Sequence, residues 1–232
     1  MNKMNIEAKD LNVYITPKDG KYTHVIIFLH GKGDRAKSYI DFFEEAKVLP
    51  EEISTKIKIV LLQSPYKKLI GDTPIGTSWF RIFNFPLVSE EDYSFEDAEM
   101  GLKVISKAID EEAKLLNGKY ENIFLGGFSQ GACLSLFLGL TFEHLLGGVI
   151  SLSGYLFSQI KIREENKKLN IFVGHGEDDN VIHYLTSREQ MKRIEKFENF
   201  HCFSYPGAGH TITKQEEIDL NNFLTECMKS SN

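Results

Sequence analysis

Gly127-Phe128-Ser129-Gln130-Gly131 is the segment that most limits what this chain can fold into. It follows the apolar run Ile123-Phe124-Leu125 and leads into Ala132-Cys133-Leu134-Ser135-Leu136-Phe137-Leu138. A serine with glycine two residues away on each side, set between a predicted strand and a predicted helix, has the form of a nucleophile elbow. The turn is so tight that a side chain at Gly127 or Gly131 would collide with neighbouring backbone. The serine is then lifted clear of the sheet at a helix N-terminus, where the backbone N–H of Gln130 can face an oxyanion. Five residues also match by chance, so the surrounding elements and downstream partners have to support the pattern.

The surrounding elements do so. Short apolar runs over 11–16, 25–29, 57–62, 123–128, 148–153, 170–174 and 200–205 read as strands, and most lack apolar/polar alternation. That is the pattern of strands buried on both faces of a parallel sheet. Helical patterns lie between them, over about 36–47, 94–116, 129–142, 183–197 and 213–228. The longest carries Ala98, Leu102, Ile105, Ile109 and Leu116 on one stripe, with Ser94 and Asp97 as a predicted capping box and Asn117-Gly118 as a stop. The alternation predicts one α/β domain, a doubly wound, mostly parallel sheet with helices on both faces and a ligand site beyond the C-terminal strand ends. Only 64–93 breaks the rhythm. It holds three of the six prolines, the single tryptophan and a run of aromatics, Tyr66, Trp79, Phe80, Phe83 and Phe85. A loop of this length is expected to be a lid or pocket wall rather than a surface insertion.

A serine hydroxyl needs a neighbouring base, and that base needs an acid to fix its tautomer. In α/β hydrolases these follow in the chain order Ser, Asp/Glu, His, each after a strand. The strand 170–174 ends in His175-Gly176-Glu177-Asp178-Asp179, where three carboxylates compete for the role of the acid and spacing does not choose among them. A metal loop there would need further ligands at the right spacing, and none is present. Tyr205-Pro206-Gly207-Ala208-Gly209-His210 places a histidine on a glycine-rich loop after a strand, where the base is needed. His30 is the rival base, but it precedes the serine. Its segment, Leu29-His30-Gly31-Lys32-Gly33-Asp34, lies where hydrolases supply a second oxyanion N–H and lacks the P-loop spacing. Cys133, a turn along the helix from the elbow, is the rival nucleophile.

Composition narrows the partners. A net charge of −6 without a Lys/Arg block argues against nucleic acid, and 42% hydrophobic residues in a chain of 232 suit one globular domain. Residues 1–10 carry no apolar stretch, so a secretion leader is not expected, and no window has the apolar length needed to cross a bilayer. Three widely spaced cysteines (Cys133, Cys202 and Cys227) fit free thiols in a reducing, cytoplasmic compartment.

The segments LHGKGD, GFSQG, the HGEDD turn and YPGAGH, together with Ser78-Trp79-Phe80 and Leu152-Ser153-Gly154-Tyr155, resemble the acyl-protein thioesterase/lysophospholipase family (type II carboxylesterases) from about residue 23 to 228. The resemblance implies an α/β-hydrolase fold with Ser129 as nucleophile, His210 as base and Asp179 as acid, since Gly176 and Asp179 match the family's GxxD turn. It implies the backbone N–H groups of Lys32 and Gln130 as oxyanion donors and Trp79, Phe80, Tyr155 and Val181 as pocket residues. No metal or cofactor is implied. Three positions depart from the family pattern: Lys32 where an apolar residue is usual, Arg81 where an acid often follows Trp-Phe, and Tyr155 where Trp is frequent. A backbone N–H survives any side-chain change, so the oxyanion hole is expected to persist. A cation at the pocket mouth is expected to favour anionic substrates.

The expected activity is hydrolysis of acyl thioesters or esters on acylated proteins or lipids. A short-chain carboxylesterase, a serine peptidase and a non-catalytic binding module on the same fold are the alternatives. An apolar lid would suit homodimerisation or transient membrane contact.

Overall fold

The computed structural model describes residues 4–44, 48–50, 54–69, 71 and 76–229. Its centre is an eight-stranded sheet. The strands are β1 (Met4–Lys9), β2 (Asn12–Pro17), β3 (His24–Leu29), β4 (Ile57–Leu62), β5 (Ile123–Phe128), β6 (Gly148–Leu152), β7 (Ile171–Gly176) and β8 (Phe200–Tyr205). The spatial order is β1-β2-β4-β3-β5-β6-β7-β8. β2 pairs antiparallel with β1 and β4, and all other pairs are parallel. Every residue of β3, β4 and β7 is buried, as strands without apolar/polar alternation demand.

The helices are α1 (Ile40–Glu44), α2 (Phe95–Leu115), α3 (Gln130–Thr141), α4 (Tyr184–Met191) and α5 (Lys214–Lys229). Strand side chains alternate between two cores. Val25, Ile27, Leu29, Val60, Leu125 and Val149 pack in one core with Ile105 and Ile109 of α2, Leu134 and Leu136 of α3, and Met191 of α4. Ile26, Phe28, Ile59, Phe124 and Phe172 point to the other face, against Phe43 of α1 and Leu220, Phe223 and Leu224 of α5. Helices therefore cover both faces, as expected. No helix among the described residues is long and apolar enough to cross a membrane.

Four local expectations change. β1 was not anticipated, and it forms a hairpin with β2 through Asp10 and Leu11, both at positive φ (50° and 71°). The expected strand 11–16 accordingly starts one residue later. The helix expected over 36–47 is a 3-10 turn, Ala36–Tyr39, running into α1, and 45–47 lie outside the described residues. The helix expected over 183–197 stops at Met191, and the chain then turns through i→i+3 hydrogen bonds up to Phe197. There the Arg193 guanidinium donates to the carbonyls of Phe157, Ser158 and Ile160, holding the segment to the neighbouring loop. Ser94 and Asp97 do not make the capping box. The Ser94 N–H goes to the Arg81 carbonyl, and Asp97 takes the Arg81 N–H (3.2 Å) and guanidinium (3.1 Å). Ser89 and Asp92 form a capping box just upstream.

At the start of α5, the Thr213 hydroxyl accepts the Glu216 N–H (3.1 Å) and Glu216 Oε2 accepts the Thr213 N–H (3.3 Å). The other Glu216 oxygen is buried without a hydrogen-bond partner, against Gly174 of β7. Burial pushes this carboxyl up from 4.5 to about 7. Between those values the folded protein keeps a proton that the unfolded chain releases, so stability falls as pH rises through about 7. Glu216→Gln is expected to add about 1–3 kcal/mol at pH ~8 and almost nothing near pH ~4. Melting curves at the two pH values check this, and an equal gain at both would contradict it.

Candidate active site

β3, β5, β7 and β8 run parallel, so their carboxyl ends open on one edge of the sheet. The elbow leaves β5 there. Ser129 adopts φ 55° and ψ −118°, a conformation L-residues rarely take and one held only where the surroundings enforce it. Enforcement comes from the glycines. A Cβ on Gly127 would lie 2.4 Å from the Gly131 carbonyl carbon, and one on Gly131 would lie 2.2 Å from the Leu29 carbonyl oxygen. The Ser129 N–H is tied to the Leu152 carbonyl (2.9 Å).

Among the three carboxylates of the acidic turn, the structure separates one. Asp179 is 3% exposed, while Glu177 and Asp178 are exposed and Glu177 accepts the Ser204 hydroxyl. Asp179 Oδ2 accepts His210 Nδ1 at 2.7 Å, and Oδ1 accepts the N–H groups of Val181 (2.8 Å) and Ile182 (2.9 Å). Burial alone would raise this carboxyl, but the histidine and backbone donors outweigh it and hold Asp179 well below the usual carboxylate range. Asp179 is therefore ionised across the neutral and mildly acidic range. His210 stacks obliquely on Phe128, ring centroids 4.8 Å apart.

Ser129 and His210 line one cavity of about 190 Å³, together with Gly31, Lys32 and Phe128. Ile82, Phe85, Val181 and Ile182 form its apolar walls. Of the expected pocket residues, only Val181 is in that lining. Trp79, Phe80 and Tyr155 are 0–1% exposed and sit behind it. Phe80 packs edge-on to Tyr93 and Phe157, and Tyr93 to Tyr155. Aromatic content marked the right region without showing which rings face the cavity. The described part of 64–93 is a fixed wall at this point. The Gln130 side chain accepts the Trp79 N–H (3.0 Å) and Ser78 hydroxyl (3.2 Å) and donates to the Phe80 carbonyl (2.7 Å). Residues 70 and 72–75 of the segment lie outside the described residues.

The rivals are occupied elsewhere. His30 is 1% exposed, its Nδ1 donating to the Gly31 carbonyl (2.6 Å) and its Nε2 accepting the Ser64 N–H (3.0 Å). Burial holds it below the ordinary histidine value, so it is neutral and has no free nitrogen for a serine. Its bond instead fixes the peptide plane between Gly31 and Lys32, the plane that carries the Lys32 N–H. Cys133 is buried, accepts the Tyr155 N–H through Sγ (3.3 Å), and has its thiol pushed up to about 12 by burial. Arg81 pairs with Asp97 and lies over the Phe83 ring, outside the cavity lining. Phe85, from the aromatic run expected to form a pocket wall, does line the cavity. The Gln130 side chain and the walls Ile82, Phe128 and Ile182 had no sequence signal, and nothing in the sequence tied His175 to the Asp179 carboxylate.

A mostly parallel sheet whose strand ends bring an elbow serine to one cavity with a histidine held by a buried aspartate defines an α/β hydrolase. Residues 11–228 match the Phospholipase/Carboxylesterase family, and the chain belongs to it. It is 30% identical to acyl-protein thioesterase 1 of Neurospora crassa over 91% of this chain and 90% of that one. It is 35% identical to acyl-protein thioesterase 1 homolog 2 of Dictyostelium discoideum over 88% and 92%. Among solved structures, Arabidopsis thaliana SOBER1 superposes with a TM-score of 0.76 at 25% identity, covering 88% of this chain and 99% of the other.

The elbow glycines give a direct structural test. Gly131→Ala must push α3 away from β3 and is expected to cost about 3 kcal/mol or more. Thermal denaturation reads this, and an unchanged melting temperature would show that the contact is not as close as described.

Proposed function

We propose that this protein hydrolyses acyl thioesters or esters through an acyl-enzyme on Ser129. The observation that carries the proposal is the 2.7 Å bond from His210 to buried Asp179, ending in the cavity that Ser129 lines. His210 takes the proton from Ser129 as its oxygen attacks the acyl carbonyl. The backbone N–H groups of Lys32 and Gln130 receive the charge that develops on the carbonyl oxygen. His210 then returns the proton to the leaving thiol or alcohol, and water activated by the same ring releases the acid. Ionised Asp179 holds the Nδ1–H tautomer and stabilises the imidazolium.

The cavity bears on the substrate. About 190 Å³ is below the ~300–1,000 Å³ usual for ligand pockets, so it seats the ester carbonyl and the first carbons of a chain. A longer chain would leave past Phe85 towards Phe83 and Val88, which are exposed on the same segment. That apolar face suits an acylated protein or lipid substrate and supports transient membrane contact or homodimerisation. A reducing, cytoplasmic setting belongs to the same proposal, because cysteines 133, 202 and 227 form no disulfide.

Ser129→Ala and His210→Ala are each expected to lower kcat on the order of 10⁴–10⁶-fold with the fold intact. Fluorophosphonate should label the wild type and not Ser129→Ala, and persistent labelling of that variant would overturn the assignment. Lys32 shares the cavity with Ser129, so Lys32→Leu should lower the rate on anionic esters relative to neutral ones. An unchanged ratio would remove Lys32 from substrate selection. A chain-length series of thioesters against matched oxyesters and lysophospholipids separates the substrate classes.

A further inference from the structure

Asp179 carries one more donor than its link to His210 and its own turn require. Beside the His210 contact and the two backbone N–H groups, His175 Nε2 lies 3.2 Å from Asp179 Oδ2. His175 belongs to β7, four residues before the acid, and is 2% exposed. The same nitrogen is 2.9 Å from the Ile182 carbonyl oxygen. A carbonyl and an ionised carboxylate only accept, so Nε2 must bear the proton and share it between them. His175 Nδ1 is buried with no hydrogen-bond partner, and a second proton there would have no acceptor. The ring is thus a fixed donor across both ends of the 179–182 turn, which also presents Val181 and Ile182 to the cavity.

We propose that His175 is a positioning residue for the reaction, holding the Asp179 carboxylate in the rotation that faces His210 and tying it to the Val181–Ile182 wall. This role rests on the hydrolase mechanism proposed above. The titratable groups facing the pair are His210, from the loop after β8, and Tyr184 of α4, whose ring centroid is 5.8 Å from that of His175. Glu177 and Asp178 are exposed. Without the His175 donor, the carboxylate turns more freely and kcat falls. Its charge is also shared with fewer donors, so the His210 imidazolium is held more tightly and the acidic limb of kcat/KM moves to higher pH.

The test compares His175→Gln, which keeps an N–H donor at similar reach, with His175→Met, which keeps length and loses the donor. Steady-state kinetics and fluorophosphonate labelling are followed across the pH profile, with circular dichroism as the folding check. His175→Met is expected to lose about tenfold to a hundredfold in kcat, with KM within about twofold and the acidic limb moved to higher pH. His175→Gln should stay within about threefold of wild type with the limb in place. Wild-type kinetics in the Met variant, or equal losses in both with an unmoved limb, would reduce His175 to a space-filling role and overturn the proposal. Should His175→Met fail to fold, His175→Phe, which fills the ring volume without a donor, takes its place: a loss of kcat with the limb moved to higher pH supports the proposal, and wild-type kinetics or an unmoved limb overturns it. A wild type that fluorophosphonate does not label sinks the hydrolase mechanism itself. That result is distinct from a labelled wild type whose variants match it.

Discussion

Gly131 lies against the Leu29 carbonyl at a separation that no side chain tolerates. Through this contact α3 starts directly beside the end of β3, and the rest of the site follows from it. The loop leaving β3 and the elbow leaving β5 then occupy one space, with Gly31 close to the Phe128 ring and the Ser129 Cβ. The first side chain of α3, Gln130, is brought to the 78–80 segment and bonds it at three points. One close packing of helix on strand therefore sets the serine, the loop after β3 and the wall behind the cavity together.

The second organising feature is a charge kept out of water. Asp179 stays ionised while buried because donors from the backbone and two histidines surround it. Three histidines near the strand ends thus have different tasks by environment alone. His30 has both nitrogens committed to backbone, and His175 donates to a carboxylate and a carbonyl. Only His210, partly exposed and held through Nδ1, also lines the cavity with Ser129. Lys32 and Arg81, the two cations that depart from the family pattern, likewise separate, one at the cavity and the other paired with Asp97.

Much of this was legible in the sequence, and the gaps have physical causes. Runs such as 25–29, and 57–62 with its single Lys58, mark doubly buried strands because they lack alternation and are too short for a buried helix. β1 escaped notice since it is an exposed edge strand, closed by Asp10-Leu11 rather than a glycine turn. α4 was drawn too long because residues 192–197 suit a helix locally, and tertiary bonds from Arg193 are invisible to local propensity. The choice of Asp179 over its neighbours depends on burial, which three adjacent carboxylates do not reveal. Family likeness puts Trp79, Phe80 and Tyr155 in the pocket, whereas Phe80 and Tyr155 are taken up by an aromatic cluster with Tyr93 and Phe157, Trp79 packs on His30, and Phe85 and Phe128 are left to face the cavity.

The central claim is a covalent acyl group on the elbow serine. Rapid-quench mass spectrometry during turnover of an acyl thioester, with fragment spectra to locate the adduct, tests it most directly. An acyl mass on Ser129 that forms before steady state and decays as substrate is exhausted is the expected result. Turnover with no adduct, or an adduct on Cys133, would contradict the account.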